Sequence, residues 1–334
     1  MPVARDIGLF AVSLVVTLAA AAFFARRLDR VGLRLGLPET LLGLLTALAA
    51  DAPELASAVA ALVKGAHGVG VGVVVGSNVF NLAAMVGVTA VVCGTVRVRR
   101  ETLVLEGAVA LAVTLAVSAR AVAWIGSSVA IVLVAAVVVP YLAFLALGPR
   151  GAQRLPVDRR LGRALRRTFG EEHRAARPDV QPAERLLAPA LLLVPAVAII
   201  VAGSAGMVEA AVDLGHRWDI PGVIVGVLVL AVTTSLPNAF TAIRLGRQGR
   251  GSALVSETFN SNTINLVGGI AIPALFLTLD RASHLVDFDV AWMIGMTVAT
   301  WALLGRRAGT ARADGAVIVA LYAVFVTVQL ARAF

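Results

Sequence analysis

The chain contains one cysteine, Cys93, and one lysine, Lys64, in 334 residues. A lone cysteine excludes a disulfide framework and any metal site built on paired thiolates. The four histidines, at 67, 173, 216 and 284, stand far apart near the ends of apolar stretches, so a histidine-rich zinc site is not expected. Apolar and polar residues do not alternate at strand period, which excludes an outer-membrane barrel. No apolar stretch pairs a nucleophilic serine with a histidine, and no GxGD-type pair of aspartates exists. Intramembrane protease chemistry therefore lacks its parts, and an enzyme is not expected. Charged residues make up only 15% of the chain, against about 25% in a soluble domain.

What is present is apolar: 59% of the residues, where a soluble domain carries about 45–50%. Mean hydropathy is +0.90. The chain is therefore an all-α polytopic membrane protein. Ten spans are expected, at about 6–26, 38–64, 68–95, 101–119, 123–147, 186–213, 220–243, 252–279, 287–305 and 314–331. Several exceed the roughly 20 residues that a bilayer needs, so tilted or broken helices are expected. The first is read as a span rather than a cleaved signal, because no clear small-residue cleavage site follows its long apolar run.

Basic residues divide sharply between the two sides. Arg5, Lys64, Arg120, Arg217, Arg281 and Arg332 fall with the termini and the even-numbered gaps, and the other 23 of 29 fall in the odd-numbered gaps. By the positive-inside rule this places both termini outside, in a plasma (inner) membrane protein. The same rule accounts for the net charge of +9, so nucleic acid is not an expected partner. The lipid bilayer is.

The only long polar segment, 148–185, separates a first half (1–147) from a second (186–334). It is read as a basic cytoplasmic loop; Leu161, Leu165 and Phe169 share one helical face within it, and the alternative reading is a short interfacial helix on anionic lipid. The halves repeat. Pro53 and Pro237, Ser77 and Ser261, Asn78 and Asn262, and Asn81 and Asn265 all stand 184 residues apart. Five spans per half is odd, so the second copy enters the membrane inverted. The expected architecture is ten transmembrane helices in two inverted five-helix repeats, with broken helices at the midplane.

Each repeat carries one polar motif region, 49–81 in the first and 233–265 in the second. The first begins Ala49-Ala-Asp-Ala-Pro-Glu-Leu-Ala-Ser57, which places Asp51, Pro53 and Glu54 inside an apolar run. A carboxylate at the centre of a membrane helix costs roughly 2.5–3.5 kcal/mol on insertion scales and marks a functional position. Asp51-Ala-Pro-Glu54 also has the form of a helix start, with a capping acid, a first-turn proline and a glutamate at the third position. The partner segments Gly76-Ser-Asn-Val-Phe-Asn81 and Asn260-Ser-Asn-Thr-Ile-Asn265 add hydroxyl and amide oxygens. Carboxylate, amide, hydroxyl and freed carbonyl oxygens suit a hard cation such as Ca²⁺ or Na⁺. The glycine run from Val69 to Gly76 has the wrong spacing for a dinucleotide loop and is read as close helix packing.

These paired motifs resemble those of the Ca²⁺:cation antiporter superfamily, the sodium/calcium exchangers in particular, over almost the whole chain. The resemblance implies a midplane site, exposed alternately to either side, that binds its transported cations (Ca²⁺, Na⁺ or H⁺) transiently and needs no cofactor. It maps the family's site onto Ala50, Asp51, Glu54, Ser77 and Asn81 in the first repeat and onto Thr234, Ser235, Asn238, Ser261 and Asn265 in the second. The chain departs from the family pattern at four of these positions. Asn238 stands where a second glutamate is usual, and Asn265 where an acid is common. Asp51 replaces a serine, and Ala50 a threonine. Both remaining acids thus come from one half. Glu257, one helical turn before Ser261, is a candidate to complete the site, or alternatively a gate or helix-pairing residue. The expected function is cation antiport, Ca²⁺ against Na⁺ or H⁺; the alternative is a same-fold protein that carries only monovalent cations or leaks.

Overall fold

The computed structural model describes residues 2–34, 39–151, 191–277 and 284–333. Bilayer hydrocarbon offers the backbone no water, so each apolar run must satisfy its own amides and carbonyls by coiling. The helices of the first half are α1 (Pro2–Arg34), α2 (Glu39–Ala50), α3 (Ala52–Val63), α4 (His67–Asn81), α5 (Thr89–Cys93), α6 (Arg100–Ala121) and α7 (Ser127–Gly151). Those of the second are α8 (Leu193–Arg217), α9 (Gly222–Ile224), α10 (Ala231–Arg247), α11 (Gly251–Leu266), α12 (His284–Gly305) and α13 (Arg312–Ala333). Short π-helical stretches, Leu82–Val88, Val225–Leu230 and Val267–Ala271, follow α4, α9 and α11. Two-residue strands, β1 (Val96–Arg97) and β2 (Gly309–Thr310), pair antiparallel and tie a loop of one half to a loop of the other.

Among the described residues, eight helical stretches are long and apolar enough to cross a membrane. The other two expected spans are the interrupted ones. Residues 39–63 bend at Asp51, and α11 passes into a π stretch and then a 3₁₀ turn at Pro273–Leu275. Helix α7 extends to Gly151, past the expected end at 147. Residues 152–190, and with them most of the basic loop and its Leu161, Leu165 and Phe169, lie outside the described residues.

The 184-residue offset governs whole elements as well as single residues. Arg100–Ala121 and His284–Gly305 differ by it at both ends, and α4 and α11 start that far apart. Among the described residues the eight long stretches and the two interrupted ones divide five and five, as two inverted repeats. The repeat-related helices α1 and α8 pack together at the periphery. There Ser13 and Thr17 sit against Gly206 and Gly203, while Val12, Val15, Ile199 and Val201 stay exposed. An exposed apolar face on a spanning helix is the one that lipid covers.

At the centre α4 crosses the π stretch 225–230 of the other repeat. A Cβ on Gly72 would lie 2.5 Å from the Val223 carbonyl oxygen, and one on Gly76 would lie 2.7 Å from Val227 Cα. The glycine run is therefore a crossing of two backbones. Gly72→Val is expected to destabilise the chain by about 3 kcal/mol, the upper end of overpacking costs. Thermal unfolding in detergent measures it, and an unchanged midpoint would mean that the crossing separates freely.

Candidate cation site

The break between α2 and α3 is a bend rather than a gap. Asp51 N donates to Ala47 O at 2.9 Å, and Leu55 N donates to Asp51 O at 3.0 Å. Pro53 in the first turn of α3 has no N–H, so the Ala49 carbonyl loses its helical donor. Asp51 occupies the N-cap position, yet its carboxylate makes no bond to the α3 amides. The capping-box reading of Asp51 is thereby corrected: the carboxylate is engaged across the repeat boundary instead.

In the second repeat Pro237, the counterpart of Pro53, does not interrupt its helix, and α10 runs through it. Thr234 Oγ1 donates to Leu230 O at 2.8 Å and Thr233 Oγ1 to Val229 O at 2.7 Å, which satisfies carbonyls where the π stretch meets α10. The irregularity has moved upstream into residues 225–230. Thr234 thus spends its hydroxyl hydrogen on its own helix.

The helix bend aims Asp51 and Glu54 at the other half. Both are buried, with exposures of 0% and 1%. Asn238 Nδ2 donates to Asp51 Oδ1 at 2.8 Å and to Glu54 Oε1 at 3.2 Å. Ser261 Oγ lies 2.6 Å from Asp51 Oδ1 and 2.8 Å from Oδ2. Asn238 is Glu54's counterpart in the repeat, 184 residues on, so the two equivalent positions touch. Asn78 and Asn262, another such pair, each donate Nδ2 to the other's carbonyl oxygen at 3.1 Å. This reciprocal pair marks the point where the repeats' symmetry axis passes. Asn81 Nδ2 reaches Asn262 Oδ1 at 3.2 Å.

Around these contacts several buried oxygens find no hydrogen-bond donor: Ser57 Oγ, Ser77 Oγ, Asn78 Oδ1, Asn81 Oδ1, Asn238 Oδ1 and Asn265 Oδ1. An unsatisfied buried polar atom costs about 1–3 kcal/mol, so six in one region call for a ligand that binds oxygen. Two carboxylates and a shell of neutral oxygens form a donor set suited to a hard cation.

Of the ten polar side chains expected at the site, Asp51, Glu54, Asn238 and Ser261 are joined by hydrogen bonds. Ser235 lies beside Glu54, and Ser77, Asn81 and Asn265 are buried with unpaired oxygens. Thr234 is buried but turned back on its helix. Glu257 is half-buried, near enough to Asp51 to feel its charge. Among the described residues no three acidic or imidazole side chains gather within metal-ligand reach, so the cluster holds two acids and neutral donors. Sequence reasoning missed Ser57, one turn after Glu54 on α3, whose spacing was the available signal. It noted Asn78 and Asn262 as repeat markers without placing them here.

A polytopic helical protein whose inverted repeats share one buried cluster of oxygen donors has the construction of a membrane transporter. The chain belongs to the sodium/calcium exchanger family: the model described as sodium/calcium exchanger protein matches residues 6–147 and 188–331. Sodium/calcium exchanger MaX1 of Methanosarcina acetivorans is 28% identical over 136 residues, which are 41% of this chain and 39% of that protein. Sodium/potassium/calcium exchanger 4 of Mus musculus is 31% identical over 123 residues, 34% of this chain and 20% of that one. The matched stretches thus span well under half the length of these relatives. In fold, the chain matches the sodium-calcium exchanger NCX_Mj, soaked with Na⁺ and Sr²⁺, with a TM-score of 0.62. That match has 17% identity and covers 97% of this chain and 99% of the other.

Proposed function

We propose that the chain is a secondary antiporter that exchanges Ca²⁺ for Na⁺ or H⁺ by alternating access. The observation that carries this reading is the Asp51–Glu54 pair, buried at a helix bend and closed over by Asn238 and Ser261 of the opposite repeat. Two ionised carboxylates in a low-dielectric cavity repel strongly unless a divalent ion or a proton lies between them. In the arrangement seen, N–H and O–H hydrogens of Asn238 and Ser261 occupy the lone pairs that a cation takes when it binds. Asn238 then turns its oxygen toward the ion. Because the ligands come from both repeats, rocking one repeat against the other opens the cluster to one side at a time.

The distribution of basic residues supports an outside position for both termini and a cytoplasmic loop at 148–185 in a plasma (inner) membrane. Bilayer lipid surrounds the spans, and the basic loop is suited to anionic headgroups. A second reading, monovalent transport or a leak, draws on the loss of acids at Asn238 and Asn265, which leaves both carboxylates in one half. Ca²⁺ uptake into proteoliposomes, driven separately by a Na⁺ gradient and by a pH gradient, decides. Uptake under either gradient is expected. Monovalent flux with no Ca²⁺ uptake under either would replace the first reading with the second.

Asn238→Glu tests the missing acid. It removes the N–H bonded to both carboxylates and adds a third negative charge. Without cation the variant is expected to lose about 3–5 kcal/mol, the cost of an uncompensated buried charge. Ca²⁺ should restore that stability and bind at least about tenfold more tightly, since ligand charge sets affinity. Thermal melting with and without Ca²⁺ reports both effects. Identical melting and affinity would remove position 238 from contact with the ion.

A further inference from the structure

We infer that Asn81 and Asn265 exchange one hydrogen bond as the repeats change conformation, which makes Asn78 and Asn262 the positioning residues that hold them in turn. The inference rests on the alternating-access reading. Asn78 and Asn81 lie on α4, Asn262 and Asn265 on α11, and each of the first pair stands 184 positions before its counterpart. All four are buried, with exposures of 1%, 0%, 3% and 1% in chain order.

The contact between Asn78 and Asn262 is its own image under the repeat, since each Nδ2 donates to the other's backbone oxygen at 3.1 Å. The contact beside it is not. Asn81 Nδ2 donates to Asn262 Oδ1 at 3.2 Å. The repeat image of that bond would run from Asn265 Nδ2 to Asn78 Oδ1, and both of those atoms are buried and unpartnered. Exchanging amide nitrogen and oxygen does not remove the difference. Backbone carbonyls only accept, so Asn78 and Asn262 each turn nitrogen toward the other's backbone, and Asn262 Oδ1 then requires a donor from Asn81. Asn265 has neither terminal atom engaged, so its orientation is immaterial.

Side-chain chemistry gives no reason for one contact to form and the other not, because all four residues are asparagine. Unpaired buried amides are costly, so both contacts would form if the packing allowed both at once. The present packing admits one. When inverted repeats move against each other, the opposite-facing arrangement is the one in which each half takes the other's conformation. Asn262 then releases Asn81, and Asn78 takes up Asn265. The held asparagine has its nitrogen occupied and its oxygen fixed for a cation, whereas the released one is free to turn. A fixed oxygen donor thus passes from one repeat to the other as the cluster changes sides, and the interface has two discrete arrangements.

Spin-label distances in the purified, cation-free full chain test the exchange without relying on transport, so its failure is distinct from failure of the antiport reading. Labels on Trp124→Cys and Trp218→Cys, in a Cys93→Ala background, report the separation of the repeats. Both positions are exposed, and they lie in the loops after α6 and after α8, at the same end of the molecule. Asn81→Leu removes only the contact now formed, and Asn265→Leu only its image. The first is expected to shift the ratio of the two separations about fivefold away from the arrangement described, and the second about fivefold toward it. Combined, the two substitutions are expected to return the ratio to that of the wild type. Shifts of opposite sign that cancel are not produced by a merely structural role. Alanine takes the place of leucine where a leucine variant melts below the wild type. Two shifts of one sign, the absence of a shift in either single variant, or a double variant displaced from the wild type overturns the exchange.

Discussion

Glu54→Gln is expected to fold, reach the membrane and carry essentially no divalent cation. The substitution keeps the side chain's size, and its carbonyl oxygen can still accept from Asn238 Nδ2, which lies 3.2 Å from Glu54 Oε1. The bend at Asp51 and Pro53 is unaffected, because Glu54 takes no part in making it. What changes is charge: one of only two carboxylates in the cluster becomes neutral. Removing one partner of a buried charge pair costs about 2–5 kcal/mol. At 1.4 kcal/mol per decade this lowers divalent affinity by between about 30-fold and several thousand-fold. Ca²⁺ flux in proteoliposomes, read beside the melting midpoint, separates loss of the site from loss of the fold. Normal expression with undiminished flux would remove Glu54 from the ion's path.

Asp51→Ser is expected to change how transport responds to pH. Asp51 is the most heavily bonded group in the cluster, accepting from Asn238 and, through both oxygens, facing the Ser261 hydroxyl. The sign follows from charge. A divalent cation needs the carboxylates ionised, so binding is fully present at high pH and is lost as protons compete at low pH. With both acids present, Ca²⁺ flux in the wild type is therefore expected to fall steeply as pH falls. A serine at 51 restores the hydroxyl usual in the family and leaves Glu54 as the single titrating group at the bend. Initial Ca²⁺ flux between about pH 5.5 and 8.5, a window set by the range of perturbed carboxylates, should fall less steeply in the variant. Superimposable profiles would reduce Asp51 to a structural partner of Asn238 and Ser261, and the case for H⁺ as counter-ion would go with it.

Much of this protein was legible in one dimension, because the bilayer imposes rules that act along the chain. Hydrocarbon demands long apolar runs, and charge translocation sorts arginine to one side. Span number follows from local composition, and a constant offset of 184 residues betrays a duplicated half. The position of the buried polar cluster was legible for the same reason: a carboxylate and a proline inside an apolar run are costly enough to stand out without knowledge of any contact. Tertiary structure alone decided what those residues do. That Asp51 is bonded across the repeat boundary rather than capping α3 depends on Asn238 and Ser261 arriving from 187 and 210 residues away. α10 runs unbroken through Pro237, and the irregular stretch of that span lies at 225–230, where it crosses α4. Hydrogen bonds from Tyr141 of α7 to Glu106 of α6 and Asn260 of α11 join three helices that no sequence period connects. Helix formation and membrane insertion are local in energy, whereas the partner of a buried polar atom is set by packing over the whole chain.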